Sequence, residues 1–103
     1  MLLETITVTQ VKASISDLID TARGTTLPTA HNKCRSVELR CSPDGDSIVY
    51  AGEVDTNTLV AILDPANGVY SATLPGYNLE DIELVSESGE TAIVGIIVNQ
   101  DRI

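Results

Sequence analysis

The sequence contains no phenylalanine, no tryptophan and only three tyrosines, so any core it builds must be thin and aliphatic. It is also poor in positive charge: six lysines and arginines stand against fifteen aspartates and glutamates, a formal net charge of −9. A surface that tracks nucleic-acid phosphates needs clustered bases, and this scarcity argues against one. Long apolar runs are missing as well. The longest is Leu59–Leu63, against the ~20 residues of a membrane-spanning helix. No basic segment followed by an apolar stretch opens the chain, so no signal peptide is expected. His31 is the single histidine, which leaves a zinc site or a Ser-His-Asp triad short of material. Neither a Gly-x-Ser-x-Gly elbow nor a glycine-rich phosphate loop occurs.

What is abundant is the β-branched class. Valine, isoleucine and threonine supply 10, 10 and 11 of the 103 residues, a load that favours strands over helices. A chain of 10.9 kDa is one domain's worth of sequence, and it buries roughly 65% of its unfolded surface without metal or disulfide support. Charge is unevenly spread. Residues 1–41 carry four acids and five bases, a net of +1, whereas residues 42–103 carry eleven acids and only Arg102, a net of −10. Such asymmetry can steer a positively charged partner or simply keep the protein soluble. The two cysteines, Cys34 and Cys41, bracket an alternating stretch that reads as a strand. Its seven extended steps span roughly 23 Å, too far for an intrachain disulfide, and isolated thiols suit assembly in a reducing cytosol.

Along the chain, Thr5–Thr9 alternates with period two. Ile15, Leu18, Ile19 and Ala22 then fall on one face of a helix, with Ser14 and Asp17 placed as a capping box and Gly24 as a left-handed C-cap. Thr25–Asn32 reads as a loop. Thereafter everything is β: Ser36–Cys41, Ser47–Ala51, Val60–Leu63, Val69–Thr73, Ile82–Val85 and Thr91–Asn99. Ser42-Pro43-Asp44-Gly45-Asp46 has tight-turn chemistry, which predicts a hairpin between the first two of these strands. Leu74-Pro75-Gly76-Tyr77 carries a type II turn signature. Ile93, Val94, Ile96, Ile97 and Val98 predict a buried final strand. The expected fold is all-β: one antiparallel, jelly-roll-like β-sandwich of about seven short strands with one short helix near residues 15–23. It forms a single domain over residues 1–103, with the N-terminal strand, helix and loop in 1–32 and a β-rich core in 33–103.

Chemistry-bearing candidates are few. Asp44 and Asp46 are spaced so that their oxygens can converge on calcium, but the other ligands of a calcium loop are missing and turn aspartates ordinarily serve Asx-turn hydrogen bonds. Glu53-Val54-Asp55-Thr56-Asn57 is weaker still. Glu80, Asp81 and Glu83 are carboxylates of the kind glycosidases pair, without the aromatic walls such sites use. Tyr50, Tyr70 and Tyr77 are isolated and read as rings sealing a core edge with the hydroxyl in water. His31 reads as a solvated loop residue. The residues point to no enzyme and no cofactor.

From Ser36 to Asn99 the chain resembles a family of small β-sandwich phage virion proteins of the capsid decoration or cement type. The resemblance rests on Val37-Glu38-Leu39-Arg40-Cys41-Ser42-Pro43, Ile48-Val49-Tyr50-Ala51-Gly52, Leu74-Pro75-Gly76 ahead of Leu79–Leu84, and Ala92-Ile93-Val94-Gly95-Ile96-Ile97-Val98. It implies a homotrimer on the outer surface of the virion shell, assembled in the host cytoplasm. The implied partner is the major capsid protein, with no nucleic acid or membrane bound. A tail, fibre or head–tail accessory protein is the alternative within that class, and a carbohydrate-binding module the alternative outside it. Exposed alternating strands pair readily with neighbours, so Met1, Leu2, Leu3, Thr5, Thr7 and Thr9 are the expected contact residues, as an arm added to another subunit. An ordinary first strand of the chain's own sandwich fits them equally.

Overall fold

A computed structural model describes residues 2–26, 34–42, 47–75, 78–87 and 89–100. Period-two stretches become strands wherever one face can be buried: β1 (Leu2–Val8), β3 (Cys34–Cys41), β4 (Val49–Glu53), β5 (Leu59–Leu63), β6 (Ser71–Pro75), β7 (Ile82–Ser86) and β8 (Ala92–Gln100). An eighth strand, β2, is only Ala13–Ser14, too short to leave an alternation in the sequence, and it raises the expected seven to eight. Among the described residues the α-helix is α1, Ile15–Arg23, and Pro65–Asn67 forms a single 3-10 turn.

α1 is set by local chemistry. Ser14 is its N-cap, in extended backbone, and its hydroxyl accepts from the Asp17 amide at 3.1 Å. Gly24 ends it at φ 75°, a left-handed conformation a side chain would resist, and its amide returns to the Asp20 carbonyl at 2.9 Å. Ile15 and Ile19 are buried and Leu18 partly so, whereas Ala22 of the expected apolar face is exposed. The helix lies against β1, and Arg23 pairs with Glu4 across that contact at 3.6 Å.

The strands form two four-stranded antiparallel sheets, ordered β1-β8-β3-β6 and β2-β7-β4-β5. First pairs with last, second with seventh, third with sixth and fourth with fifth. This is one long antiparallel ribbon whose tip is the β4–β5 turn. Rolling the ribbon up adds the β3–β8 and β4–β7 pairings. The result is an eight-stranded jelly roll. It also corrects the hairpin expected between Ser36–Cys41 and Ser47–Ala51. β3 and β4 follow one another on the same arm of the ribbon, so the chain crosses from one sheet to the other between them. The turn Pro43–Asp46 lies outside the described residues.

The inner faces meet in an aliphatic core. Ile6 and Val8 of β1, Val37 and Leu39 of β3, and Val94, Ile96 and Val98 of β8 pack from the first sheet, and Val49, Leu63, Ile82 and Leu84 from the second. A bulge between Cys34 and Ser36 sets two residues of β3 against one of β8 and turns Cys34 inward. Cys41 is at the other end of the same strand, as its extended reading requires. β8 is not buried on both sides, as its apolar run led us to expect. It is central in its sheet, yet among the described residues no second layer covers its outer face, and Ile93 stands 56% exposed. The radius of gyration, 12.6 Å, matches the ~13 Å of a compact chain this long.

Candidate functional site

With both inner faces consumed by the core, the described residues leave the outer faces, the strand edges and the connecting loops for chemistry. On the first sheet the register sets Leu3 against Ile97, Thr5 against Gly95 and Thr7 against Ile93. On the far side of β8, Glu38 stands beside Ile97 and Arg40 beside Gly95. Leu3 is 62% exposed, and Gly95, lacking a side chain, floors a shallow hollow of about 360 Å³ walled by Leu3, Thr5, Arg40 and Ile97. The charges of this patch cancel, because the Arg40 guanidinium meets the Glu38 carboxylate at 2.8 Å. The patch is therefore apolar and hydroxyl-bearing, with no excess of either sign.

Of the residues expected to make contacts, Leu3, Thr5 and Thr7 share this face, exposed. Thr9 lies just beyond β1, where its carbonyl accepts from the Ser86 amide and its hydroxyl from the Val11 amide. Leu2 begins β1, paired with Val98. Met1 lies outside the described residues. β1 belongs to the chain's own sheet, with β8 on one side and no strand on the other among the described residues.

The second sheet's outer face has different chemistry. Val85, Tyr50 and Ile62 form one cross-strand row, and Glu83, Gly52 and Leu59 the next. The β4–β5 register shifts by one residue between Ala51 and Gly52, and Gly52 adds no side chain to its row. A hollow of about 200 Å³ results, lined by Lys12, Tyr50, Gly52, Glu53, Asn57, Leu59, Glu83 and Val85. A methyl group at position 52 would sit 3.3 Å from the Thr58 carbonyl oxygen. Lys12 reaches across the rim, its ammonium donating to Asn57 Oδ1 at 3.2 Å.

Acids dominate around that hollow. Tyr50 donates its hydroxyl to Glu87 at 2.9 Å. That bond, with desolvation and the charges of Glu87 and Asp64 behind it, holds the phenol above its ordinary value of 10. One oxygen of Asp64 takes the Asn67 side-chain amide at 2.7 Å, while the other is buried without a hydrogen-bond partner. Because the phenol's pKa is raised in the fold, its stabilising contribution is present below pH ~10 and fades as pH rises through the folded value. Glu87→Gln is expected to return one tyrosine to the ordinary range in a spectrophotometric alkaline titration. An unchanged titration curve would refute the bond.

The remaining candidates do not converge. Glu53–Asn57 forms the tip of the β4–β5 hairpin: Thr56 donates to Glu53 at 2.9 Å, and Asn57 turns the chain at φ 54°. Glu80 and Asp81 sit in a turn organised by Asn78, apart from any second carboxylate set. Tyr70 is 42% exposed. Burial pushes the Cys41 thiol up, away from the reactive thiolate. Among the described residues no three His, Cys, Asp or Glu side chains come together to hold a metal. Asp44, Asp46, His31 and Tyr77 lie outside those residues. Sequence reading missed the Tyr50 hollow, although a glycine inside a strand was its visible mark, since Gly52 and Gly95 each floor a depression.

No protein-family profile matches the chain, and neither does any curated protein. Among solved structures, the chain is similar to the virus-like particle of the extra small virus of the giant freshwater prawn Macrobrachium rosenbergii, determined by cryo-electron microscopy. The likeness has a TM-score of 0.38 and 10% identity, over 98% of this chain and 79% of that one. No residue here takes a role from it. Among the described residues, no helix is long and apolar enough to cross a membrane.

Proposed function

We propose that the chain is a structural protein of a virion, a decoration protein without catalytic activity. It binds the outside of a phage capsid as a homotrimer and cements junctions between copies of the major capsid protein against the outward pressure of packaged DNA. The observation that supports this is a jelly roll whose two sheets each leave an outer face open, one neutral and apolar, the other acidic and hollowed. Jelly rolls serve as shell subunits, lectins and cupins, and what decides among these is the site. Glycan-binding faces take aromatic platforms, and Tyr50 is a lone ring in its hollow.

The charge balance supports a division of labour between the faces. Copies carrying −9 each repel one another, except through a surface whose charges already cancel. The Leu3–Ile97 patch is such a surface and serves the trimer. A thin core without aromatics gains stability from that added burial, and three tethered chains bind a shell with avidity that none has alone.

Light scattering on the purified chain, alone and then with emptied capsids, tests the proposal. The expected result is a mass near three times 10.9 kDa and uptake over the whole capsid lattice in electron micrographs of labelled particles. A monomer that ignores capsids would overturn it. Label at a single vertex would make the chain a tail or head–tail protein instead.

A further inference from the structure

We infer that the hollow over Gly52 is a socket for one arginine side chain, carried by a basic segment of the shell protein. This deepens the reading of the chain as a shell-binding protein and rests on it for the biological partner. Size is the first argument. About 200 Å³ falls below the ~300–1,000 Å³ of sites that enclose small organic ligands, and it suits a single inserted side chain. The register shift between β4 and β5 and the bare backbone of Gly52 shape the floor of this space.

Lining chemistry is the second argument. Leu59 and Val85 offer apolar surface to a run of methylenes, and Tyr50 brings to the same lining an aromatic ring, the kind of group on which a planar cation stacks. Glu83 stands at the rim with no hydrogen-bond or ion-pair partner among the described residues, free to take a guanidinium through two parallel bonds. A lysine would fill the stem volume but neither fork nor stack.

Charge complementarity commits the occupant. Glu53 and Glu83 line the hollow, Glu87 and Asp64 flank Tyr50, and Lys12 is the one cation on the lining. Lys12 pairs with neither carboxylate. Its ammonium is held at the hairpin tip by Asn57, leaving the acids unneutralised. An anionic or neutral ligand would use Lys12, whereas an arginine is opposed by it, so the two cases respond oppositely to its removal.

The test follows amide resonances of the isotope-labelled full chain during titration with N-acetyl-arginine amide. N-acetyl-citrulline amide, the neutral isostere, is the control. Saturable shifts at Gly52, Leu59 and Glu83 are expected, with citrulline weaker by about tenfold or more, a difference of ~1.4 kcal/mol. Glu83→Gln should weaken arginine binding about tenfold, and Lys12→Gln should tighten it a few-fold. Both side chains are on the surface, so undisturbed resonances elsewhere confirm that the variants fold. Equal binding of citrulline, an unaffected Glu83→Gln, weaker binding by Lys12→Gln, or no saturable shift would each overturn the socket. The titration uses the chain alone: a failure here with capsid uptake intact removes only the socket, and lost uptake with arginine binding intact removes only the wider reading.

Discussion

Leu39→Ala is expected to remove about 3 kcal/mol of folding stability, out of the ~5–15 kcal/mol a domain of this size holds. The melting temperature should fall by roughly 10–20 °C. Leu39 is fully buried in β3, set between Ile96 of β8 and Ala72 of β6. Its two cross-strand partners are β-branched and small, and a β-branched side chain has few rotamers with which to move into a void. With no large aromatic in the core to swing into it, the cavity persists and the loss falls within the range for leucine truncation. Leu59→Ala, at a site 53% exposed, is the control and should change stability by less than about 0.5 kcal/mol. Calorimetric melts of the two variants decide the point, and equal losses would contradict the assignment of the core.

The paired change Leu3→Glu with Ile97→Lys should convert the proposed trimer to single chains. The light-scattering mass would fall about threefold, to the 10.9 kDa of one polypeptide. The two positions are directly opposite on β1 and β8, so the new charges form a cross-strand pair that preserves the sheet. What is lost is the apolar strip between copies, replaced by groups that resist desolvation. Capsid uptake should fall by a hundredfold or more once tethering disappears. A variant that melts like the parent and keeps its trimer mass would eliminate this face as the contact between copies.

Local features were legible in the sequence because local chemistry causes them. The helix limits follow from Ser14 and Gly24, two residues whose side chain or lack of one decides the matter within a single turn. The strands follow from alternation. Pairing was another matter. Turn residues report that the chain reverses, not which strand it then joins, and here every connection except β4–β5 leads from one sheet to the other. The Asp64-Pro65-Ala66-Asn67-Gly68 turn shows the ambiguity: Asp64 and Val69 bridge across it, yet β5 and β6 diverge into separate sheets. The true hairpin, around Glu53–Thr58, looked merely polar. Ile93 misled in a similar way, since an apolar residue on a strand does not say whether its face meets the core, and Ile93 is 56% exposed. The Tyr50 hollow combines the β4–β5 register shift with Glu83 and Val85 of the distant β7, and no run of neighbouring residues encodes that meeting.

Pairing the first strand with the eighth has a kinetic consequence. β8 is the shared neighbour of β1 and β3, so on a ribosome β1 has no strand partner, and β3 only β6, until β8 has been synthesised. Loop closure on that scale precedes any gain from contact, which places such topologies among the slower folders, in milliseconds to seconds. In the interval β1 exposes both edges, and crowded synthesis of many identical chains is where mispairing between molecules competes most strongly with the correct roll-up.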